Sequence, residues 1–145
     1  MTGEGILFDQ FRKRKLLDYY LEPVAQKNGL LLSEVRLILH LYLSGSNTRR
    51  ALADFAGLTK GSLSVQLQRL AGKGLVSVTE THIPDSREKT LQISFPPAAE
   101  TVLAELENAL KDFEAARVSG FGREERAQYE QLSRHIQENI RDILQ

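Results

Sequence analysis

The sequence predicts a mainly α-helical fold with one small β-hairpin, and three observations support this prediction. Apolar residues recur at helical spacing over most of the 145 residues. In the middle of the chain, two short capped helices are joined by a single residue, Leu58. After Gly74 the helical period gives way to an alternation of apolar and polar residues, which is typical of strands. We therefore expect long helices on both sides of a compact central region.

Two helices are predicted before that region. The first covers residues 6–26, is amphipathic but irregular, and ends at the stop signal Asn28-Gly29. Ser33 is the expected N-cap of the second helix, and Ser44-Gly45-Ser46 is its expected end. The apolar positions of the second helix recur at three and four, at Val35, Ile38, Leu39 and Tyr42.

The central region begins with two further helices that follow each other almost without a loop. Thr48 is the expected N-cap of the first, which ends at Gly57, and Thr59 is the expected N-cap of the second. The second helix ends at Lys73-Gly74. Its inner face carries Leu63, Leu67 and Leu70. Two short helices joined this tightly must cross at a steep angle, which predicts a helix-turn-helix.

A hairpin with a long polar tip is predicted next. The tip contains Pro84-Asp85-Ser86, and Pro96-Pro97 ends the second strand and suits a helix start. The apolar side of the hairpin is formed by Val76, Val78, Leu91, Ile93 and Phe95. Two long helices follow, from residue 98 and from Arg123, separated by glycines. The order of elements predicts a winged helix-turn-helix over residues 48–95.

The composition restricts the function. The formal net charge is zero, but the stretch 48–79 carries five cations against Asp54 alone, whereas residues 98–145 are acidic on balance. With no cysteine, disulfides, thiolate metal sites and cysteine nucleophiles are excluded. No signal peptide or membrane span is recognisable, so we expect a cytoplasmic protein with no membrane partner.

The helix of residues 59–73 and the wing of residues 77–95 predict binding of double-stranded DNA. A helix with a polar, hydrogen-bonding outer face fits the major groove, and cations near a hairpin tip fit the adjacent minor groove. The predicted contacts are Arg49, Lys60, Ser62, Ser64, Gln66, Gln68, Arg69, Arg87 and Lys89. Asp85 is expected to hold the turn or to orient Arg87. Any solvated helix has a polar outer face, so the order of the elements carries this prediction.

Two segments resemble the MarR family of bacterial winged-helix regulators. The stretch from Leu67 to Val76 is similar to the end of the family's recognition helix and the strand after it, and Asp85-Ser86-Arg87 is similar to its wing signature. The resemblance implies one domain over residues 1–145, with a DNA-binding lobe at about 33–95. It also implies a homodimer, formed through dimerisation helices at about 6–26 and 98–145, on a pseudo-palindromic operator.

The sequence also departs from the family pattern. Val65, Gln66 and Ser77-Val78 replace positions at which basic or apolar residues are common, so base contacts cannot be transferred from relatives. Phe95 to Ala98 replaces the usual junction between wing and helix. We therefore expect the family's fold, but the operator sequence cannot be predicted from the relatives.

The resemblance also implies a cleft for a small aromatic or anionic effector. In this chain the cleft would use Tyr19, Tyr20, Arg36, His40 and Tyr42. The alternative is that the tyrosines are core or interface residues and that His40 is an ordinary buried histidine. The histidines His40, His82 and His135 are too far apart for a metal-ligand motif, so no metal or cofactor is expected.

No catalytic constellation can be assembled, so we expect a regulator of transcription, acting as a repressor, and not an enzyme. The alternative is a winged-helix module for protein–protein interaction that has lost DNA binding. The basic run Arg12-Lys13-Arg14-Lys15 has two interpretations, a solvated helix face or a contact with flanking DNA or another acidic partner.

Overall fold

The computed structural model of the chain describes residues 5–44, 48–87 and 89–145. These residues form two compact units, with the boundary between Leu110 and Lys111. Each unit is described by itself below. The predicted end of the second helix at Ser44-Gly45-Ser46 lies partly outside the described residues.

The first unit begins with helices α1 (Ile6–Lys27) and α2 (Leu32–Leu43). The predicted cap of α2 is wrong, because the helix begins one residue before Ser33. The Glu34 carboxylate takes the capping role instead, since its Oε1 accepts a hydrogen bond from the Leu31 N–H at 2.9 Å. A glutamate in the first turn can reach back to the amide that precedes the helix, and it also suits the helix dipole.

Helices α3 (Arg49–Ala56) and α4 (Lys60–Gly72) form the helix-turn-helix. Both predicted caps are confirmed: Thr48 Oγ1 accepts from the Ala51 N–H and Thr59 Oγ1 accepts from the Ser62 N–H, each at 3.1 Å. Gly57 has φ of 70°, a left-handed conformation that favours glycine and ends α3 abruptly.

The hairpin consists of β1 (Ser77–His82) and β2 (Lys89–Ser94), paired antiparallel. In this register Ser77 lies opposite Ser94 and Glu80 lies opposite Leu91. An isolated bridge between Thr48 and Thr90 joins the start of α3 to β2. The wing is therefore attached to the helix-turn-helix twice, through the chain after α4 and through this bridge.

A core of leucines, valines and alanines from the helices and the hairpin holds the first unit together. Its fully buried side chains include Leu21, Leu37, Ile38, Leu52, Leu63, Leu70 and Leu106. A short 3-10 turn (Pro97–Ala99) leads into α5 (Glu100–Arg117), whose Glu105 accepts a hydrogen bond from the Asn28 side chain at 2.8 Å. The prediction of a mainly helical fold with one antiparallel hairpin is confirmed.

The second unit contains the end of α5 and the last helix, α6 (Arg123–Leu144). The guanidinium of Arg117 lies 5.4 Å from the ring centre of Phe113 and 5.5 Å from that of Tyr129. Within α6 no residue is buried, and its leucines and isoleucines are exposed. Over residues 5–44, 48–87 and 89–145, no helix is long and apolar enough to cross a bilayer.

Candidate nucleic-acid interface

The two faces of α4 differ in character. Leu63, Leu67 and Leu70 are at most 3% exposed and face the core. On the outer side Lys60, Val65, Gln68 and Arg69 are exposed, and Ser62, Ser64 and Gln66 are partly buried. The Gln66 amide donates to the Ser62 hydroxyl at 3.2 Å, one turn earlier. The outer face therefore presents amides, hydroxyls and cations, with one apolar side chain, Val65, near its middle.

An open cleft of about 290 Å³ lies where the starts of α3 and α4 meet the hairpin. We call it the basic cleft and define it by its lining residues. These are Thr48, Arg49, Arg50, Lys60, Glu80, Arg87 and Lys89. Of these lining residues, five are cations and one is a carboxylate. Such an excess of positive charge in a concave surface attracts anions.

The carboxylate of Glu80 organises the basic cleft. Its Oε1 accepts from Arg49 Nε at 2.6 Å and also from Arg49 Nη2, and its Oε2 lies 3.5 Å from Lys89 Nζ. Arg49 Nη1 donates in turn to the Ser64 hydroxyl at 2.7 Å. These contacts connect β1 to β2, to α3 and to α4. Hydrogen bonding from Arg49 and the positive charges of Arg49 and Lys89 hold the pKa of Glu80 below its usual value.

Four of the predicted DNA contacts line this cleft: Arg49, Lys60, Arg87 and Lys89. Ser64 does not line the cleft, but its hydroxyl accepts a hydrogen bond from Arg49, which does. Gln68 and Arg69 lie on later turns of α4 and do not line it, although both are exposed. The assignment of these residues to DNA stays a prediction.

Sequence reasoning did not select three lining residues: Thr48, which it predicted only as an N-cap, Arg50 and Glu80. Arg50 is counted in the basic stretch but is not among the predicted contacts, although it directly follows Arg49 at the start of an exposed helix. Glu80 follows the basic stretch 48–79 immediately. A lone acid inside a strand next to a basic hairpin tip was the available signal, but its partner Arg49 is 31 positions away in the chain.

The opposite end of α4 is fixed by an ion pair with the start of α2. Lys73, the C-cap of α4, donates to Glu34 Oε1 at 2.9 Å and lies 2.9 Å from Oε2. Glu34 is only 2% exposed, and burial raises its pKa, but the hydrogen bonds from the Leu31 N–H and Lys73 together with the positive charges of Lys73 and Arg69 outweigh burial, so the pKa is lowered. Glu34 therefore caps α2 and anchors α4 at the same time.

The predicted effector residues on α1 and at the middle of α2 have separate partners. Tyr19 is 70% exposed and its ring is edge-on to that of Tyr20, at 5.2 Å between ring centres. Arg36 donates to both oxygens of Asp18, at 2.9 and 2.5 Å. The guanidinium of Arg36 is therefore occupied by an acid that the sequence analysis did not select.

His40 and Tyr42 also have their own contacts. The His40 ring is edge-on to Phe55 at 5.2 Å between centres, and burial, together with the nearby Arg14 and Arg36, lowers its pKa. The Tyr42 hydroxyl donates to Glu107 Oε1 at 2.5 Å. The five predicted residues thus belong to several contact groups, and an effector cleft stays a prediction.

Metal binding finds no support in the part of the chain that is described. In residues 5–44, 48–87 and 89–145, no three side chains of histidine, cysteine, aspartate or glutamate are grouped so as to hold a metal ion.

Comparison with known proteins finds similarity at the level of structure. No family model matches the sequence. A search of curated proteins finds no match either. By contrast, a crystal structure of MarR superposes with a TM-score of 0.75 at 16% identity, covering 99% of this chain and 96% of that chain. A MarR transcriptional regulator from Methanosarcina mazei Go1 gives 0.73 at 15% identity, covering 99% and 94%.

A third structure, NadR in complex with 4-hydroxyphenylacetate, gives a TM-score of 0.68 at 21% identity and covers 94% of both chains. All three similarities extend over almost the whole chain, including the helices on both sides of the hairpin. The chain therefore has the winged-helix fold of the MarR transcriptional regulators.

Proposed function

We propose that this chain is a homodimeric regulator of transcription that binds duplex DNA and acts as a repressor by occupying its operator. The observation that carries the proposal is the basic cleft, where Arg49, Arg50, Lys60, Arg87 and Lys89 converge from two helices and a hairpin. Duplex DNA is a polyanion whose phosphates dominate affinity, so a surface of this kind suits it.

Helix α4 has the dimensions and the surface of a major-groove reader. Its 13 residues span about 20 Å at ~1.5 Å per residue, and one helix fits a groove that is ~12 Å wide. Lys60 is the first residue of the helix and lines the basic cleft, and apart from the neighbouring residues and backbone of its own helix, no atom lies within 4 Å of the position that a Cβ on Gly61 would take. The DNA backbone can therefore approach the start of α4 closely.

The hairpin supplies the minor-groove contact. Arg87 is exposed near the tip, and Asp85 has a left-handed φ of 62° that turns the chain there. An arginine on a narrow protruding loop fits the negative potential of a narrow minor groove. Since the hairpin is bridged to the start of α3, the wing and α4 engage adjacent grooves as one body.

Two exposed apolar surfaces support a homodimer. On α6, Leu132, Ile136 and Ile140 are between 49% and 61% exposed, and on α1 Leu7 and Phe11 are 60% and 63% exposed. Apolar surface of this extent on neighbouring helical turns marks an interaction site, and a second copy of the chain is the simplest partner. A dimer presents two α4 helices, which matches a pseudo-palindromic operator with half-sites about one turn apart.

A small aromatic or anionic effector completes the proposal. The structure of NadR contains 4-hydroxyphenylacetate. The residues of this chain that suit such a compound are Tyr19, Tyr20, Arg36, His40 and Tyr42, which combine aromatic faces with a guanidinium. To bind a carboxylate, Arg36 has to exchange its bond with Asp18, so Asp18→Asn should strengthen binding of an aromatic acid in calorimetry.

The salt dependence of DNA binding tests the proposed function. Fluorescence anisotropy of a labelled duplex from the region upstream of the gene is measured between 50 and 200 mM salt. With 6–10 phosphate contacts, affinity should fall by about 10³–10⁵ over this range. Absence of binding to any duplex at the lowest salt contradicts the proposal and favours the alternative, a protein–protein interaction module.

Two matched variants locate the binding surface. Arg87→Ala at the wing tip should reduce the salt slope by about 1 for each phosphate that the protein no longer neutralises, without changing the melting temperature. Lys111→Ala removes one positive charge from an exposed position in the second unit and should behave as wild type. Equal effects of the two variants would exclude the basic cleft as the binding surface.

A further inference from the structure

Glu80 is an unexpected residue in a surface that binds a polyanion. Among the described residues that line the basic cleft, it is the single carboxylate among five cations. A carboxylate at this place repels phosphate, so it weakens the attraction on which the proposed function depends. Its contacts show what it does instead.

The contacts of Glu80 engage two of the cations. Arg49 directs Nε and Nη2 at Glu80 Oε1 and Nη1 at the Ser64 hydroxyl, so its guanidinium is bound on two sides. Lys89 lies 3.5 Å from the other carboxylate oxygen. The side chains of Glu80 and Arg49 are only 25% and 33% exposed, so water screens their pair less than it would at an open surface.

The remaining cations differ from these two. Arg50, Lys60 and Arg87 line the same cleft, and within the described residues none of them forms an ion pair. Among the described residues, the cleft therefore contains two classes of positive charge, one neutralised by Glu80 and one available for phosphate. The cations that Glu80 neutralises do not add to the attraction of the cleft for DNA phosphates.

We propose that Glu80 is a specificity-determining residue, which neutralises Arg49 and Lys89 against sequence-independent phosphate binding and holds Arg49 in place against α4. The proposal rests on the proposed function. On random DNA, a phosphate in the cleft meets a carboxylate and must displace it from Arg49. On the operator, the base contacts of α4 select a binding mode in which Arg49 keeps its bond with Glu80, so the carboxylate weakens this complex less than the complex with random DNA.

The test compares Glu80→Gln with wild type on a random duplex and on a duplex enriched from a random library by the wild-type protein. The variant should bind the random duplex about fivefold more tightly at low salt, since one unit charge near a phosphate is worth about 1 kcal/mol in a water-like dielectric. Its salt slope should steepen by about 1–2. Affinity for the enriched duplex should rise by roughly twofold or less, because in that complex Arg49 keeps its bond with Glu80.

Asp112→Asn is the matched control, because it removes one negative charge from an exposed position in the second unit. It should leave both affinities unchanged. If Glu80→Gln binds the random duplex no better than wild type, Glu80 is a structural tie and the proposal is wrong. If wild type binds neither duplex, the proposed function itself fails, so the two failures are distinguishable.

A second pair of variants keeps the proposal testable where Glu80→Gln loses its fold. Lys89→Gln removes a cation that Glu80 neutralises, and Lys60→Gln removes one outside that pairing, with the same change of charge in the same cleft. We expect Lys60→Gln to weaken random-duplex binding at least threefold more than Lys89→Gln, because only the former removes a cation that is available for phosphate. Equal weakening by the two variants would overturn the proposal.

Discussion

Helices α4 and α6 are built on the same amphipathic pattern but bury it differently. In α4, Leu63, Leu67 and Leu70 are at most 3% exposed, whereas in α6 Ile136 and Ile140 are 58% and 49% exposed. The periodicity of each helix shows which face is apolar but not what covers it. In α4 the cover is the core of the first unit, while the exposed stripe of α6 is the surface that we assign to a second copy of the chain.

The largest expected effect comes from a substitution in the buried apolar face of α4. Leu63→Ala should lower the free energy of unfolding by about 2–5 kcal/mol, because it removes fully buried methyl groups and leaves a cavity. Urea denaturation followed by circular dichroism measures the change. Gln68→Ala on the exposed outer face of the same helix is the control and should cost much less. Similar losses of stability for both variants would contradict the packing described for α4.

A charge placed in the exposed apolar face of α6 should change the oligomeric state of the protein. Ile136→Glu places a charge on the exposed apolar face, so we expect native mass spectrometry to show a shift from dimer to monomer. DNA affinity should then fall by about tenfold or more, because the two half-sites are no longer bound by one linked molecule. Gln131→Glu adds the same charge on the opposite face of the helix and should remain dimeric. A dimeric Ile136→Glu protein would show that this stripe is not the interface.

The anchor of α4 should make stability depend on pH. The folded-state pKa of Glu34 is depressed, so its contribution is fully present above the unfolded value of about 4.5 and is lost as the pH falls through the lower folded value. Glu34→Gln should lower the free energy of unfolding by about 2 kcal/mol at pH 7, a value within the range for a hydrogen bond to a charged group. It should also flatten the acid side of the stability curve, measured by urea denaturation from pH 3 to 7.

Glu100→Gln, at the exposed start of α5, is the control for that experiment and should keep the wild-type acid dependence. A Glu34→Gln protein with an unchanged curve would show that the carboxylate does not anchor α4 through its charge.

The smallest effect concerns the outer face of α4. Val65 is 51% exposed between polar neighbours, and thymine carries the one methyl group on a base edge in the major groove. Replacing the contacted thymine by uracil should weaken wild-type binding about fourfold, since a buried methyl is worth about 0.8 kcal/mol. Val65→Ser should be insensitive to the replacement. Equal sensitivity of the two proteins would exclude this contact.

Local signals in the sequence were enough for most of the fold. The caps Thr48 and Thr59 and the spacing of Leu63, Leu67 and Leu70 depend on neighbours within one or two helical turns, and the structure confirms them. The N-cap prediction at Ser33 is wrong because the helix begins at Leu32, where the Glu34 side chain in its first turn accepts from the Leu31 N–H. A pattern search for serine or threonine at the N-cap does not detect a helix start that depends on a glutamate three residues later.

The site was less predictable, because its key contact joins distant parts of the chain. Glu80 meets Arg49 only because the register of the hairpin and the bridge between Thr48 and Thr90 bring β1 to the start of α3. The same limit applies to Tyr42, whose partner Glu107 lies 65 positions away. Charge counts along the chain detect a basic region but not the acid that neutralises part of it.

Chemical footprinting tests most directly the claim that α4 and the wing bind adjacent grooves of DNA. Dimethyl sulfate probes guanine N7 in the major groove, and hydroxyl radicals probe the sugars that border the minor groove. We expect two major-groove protections about 10 base pairs apart. We also expect flanking minor-groove protections, which Arg87→Ala loses while the major-groove pattern remains. Minor-groove protection that is unchanged in Arg87→Ala, or no protection in the major groove, would contradict this claim.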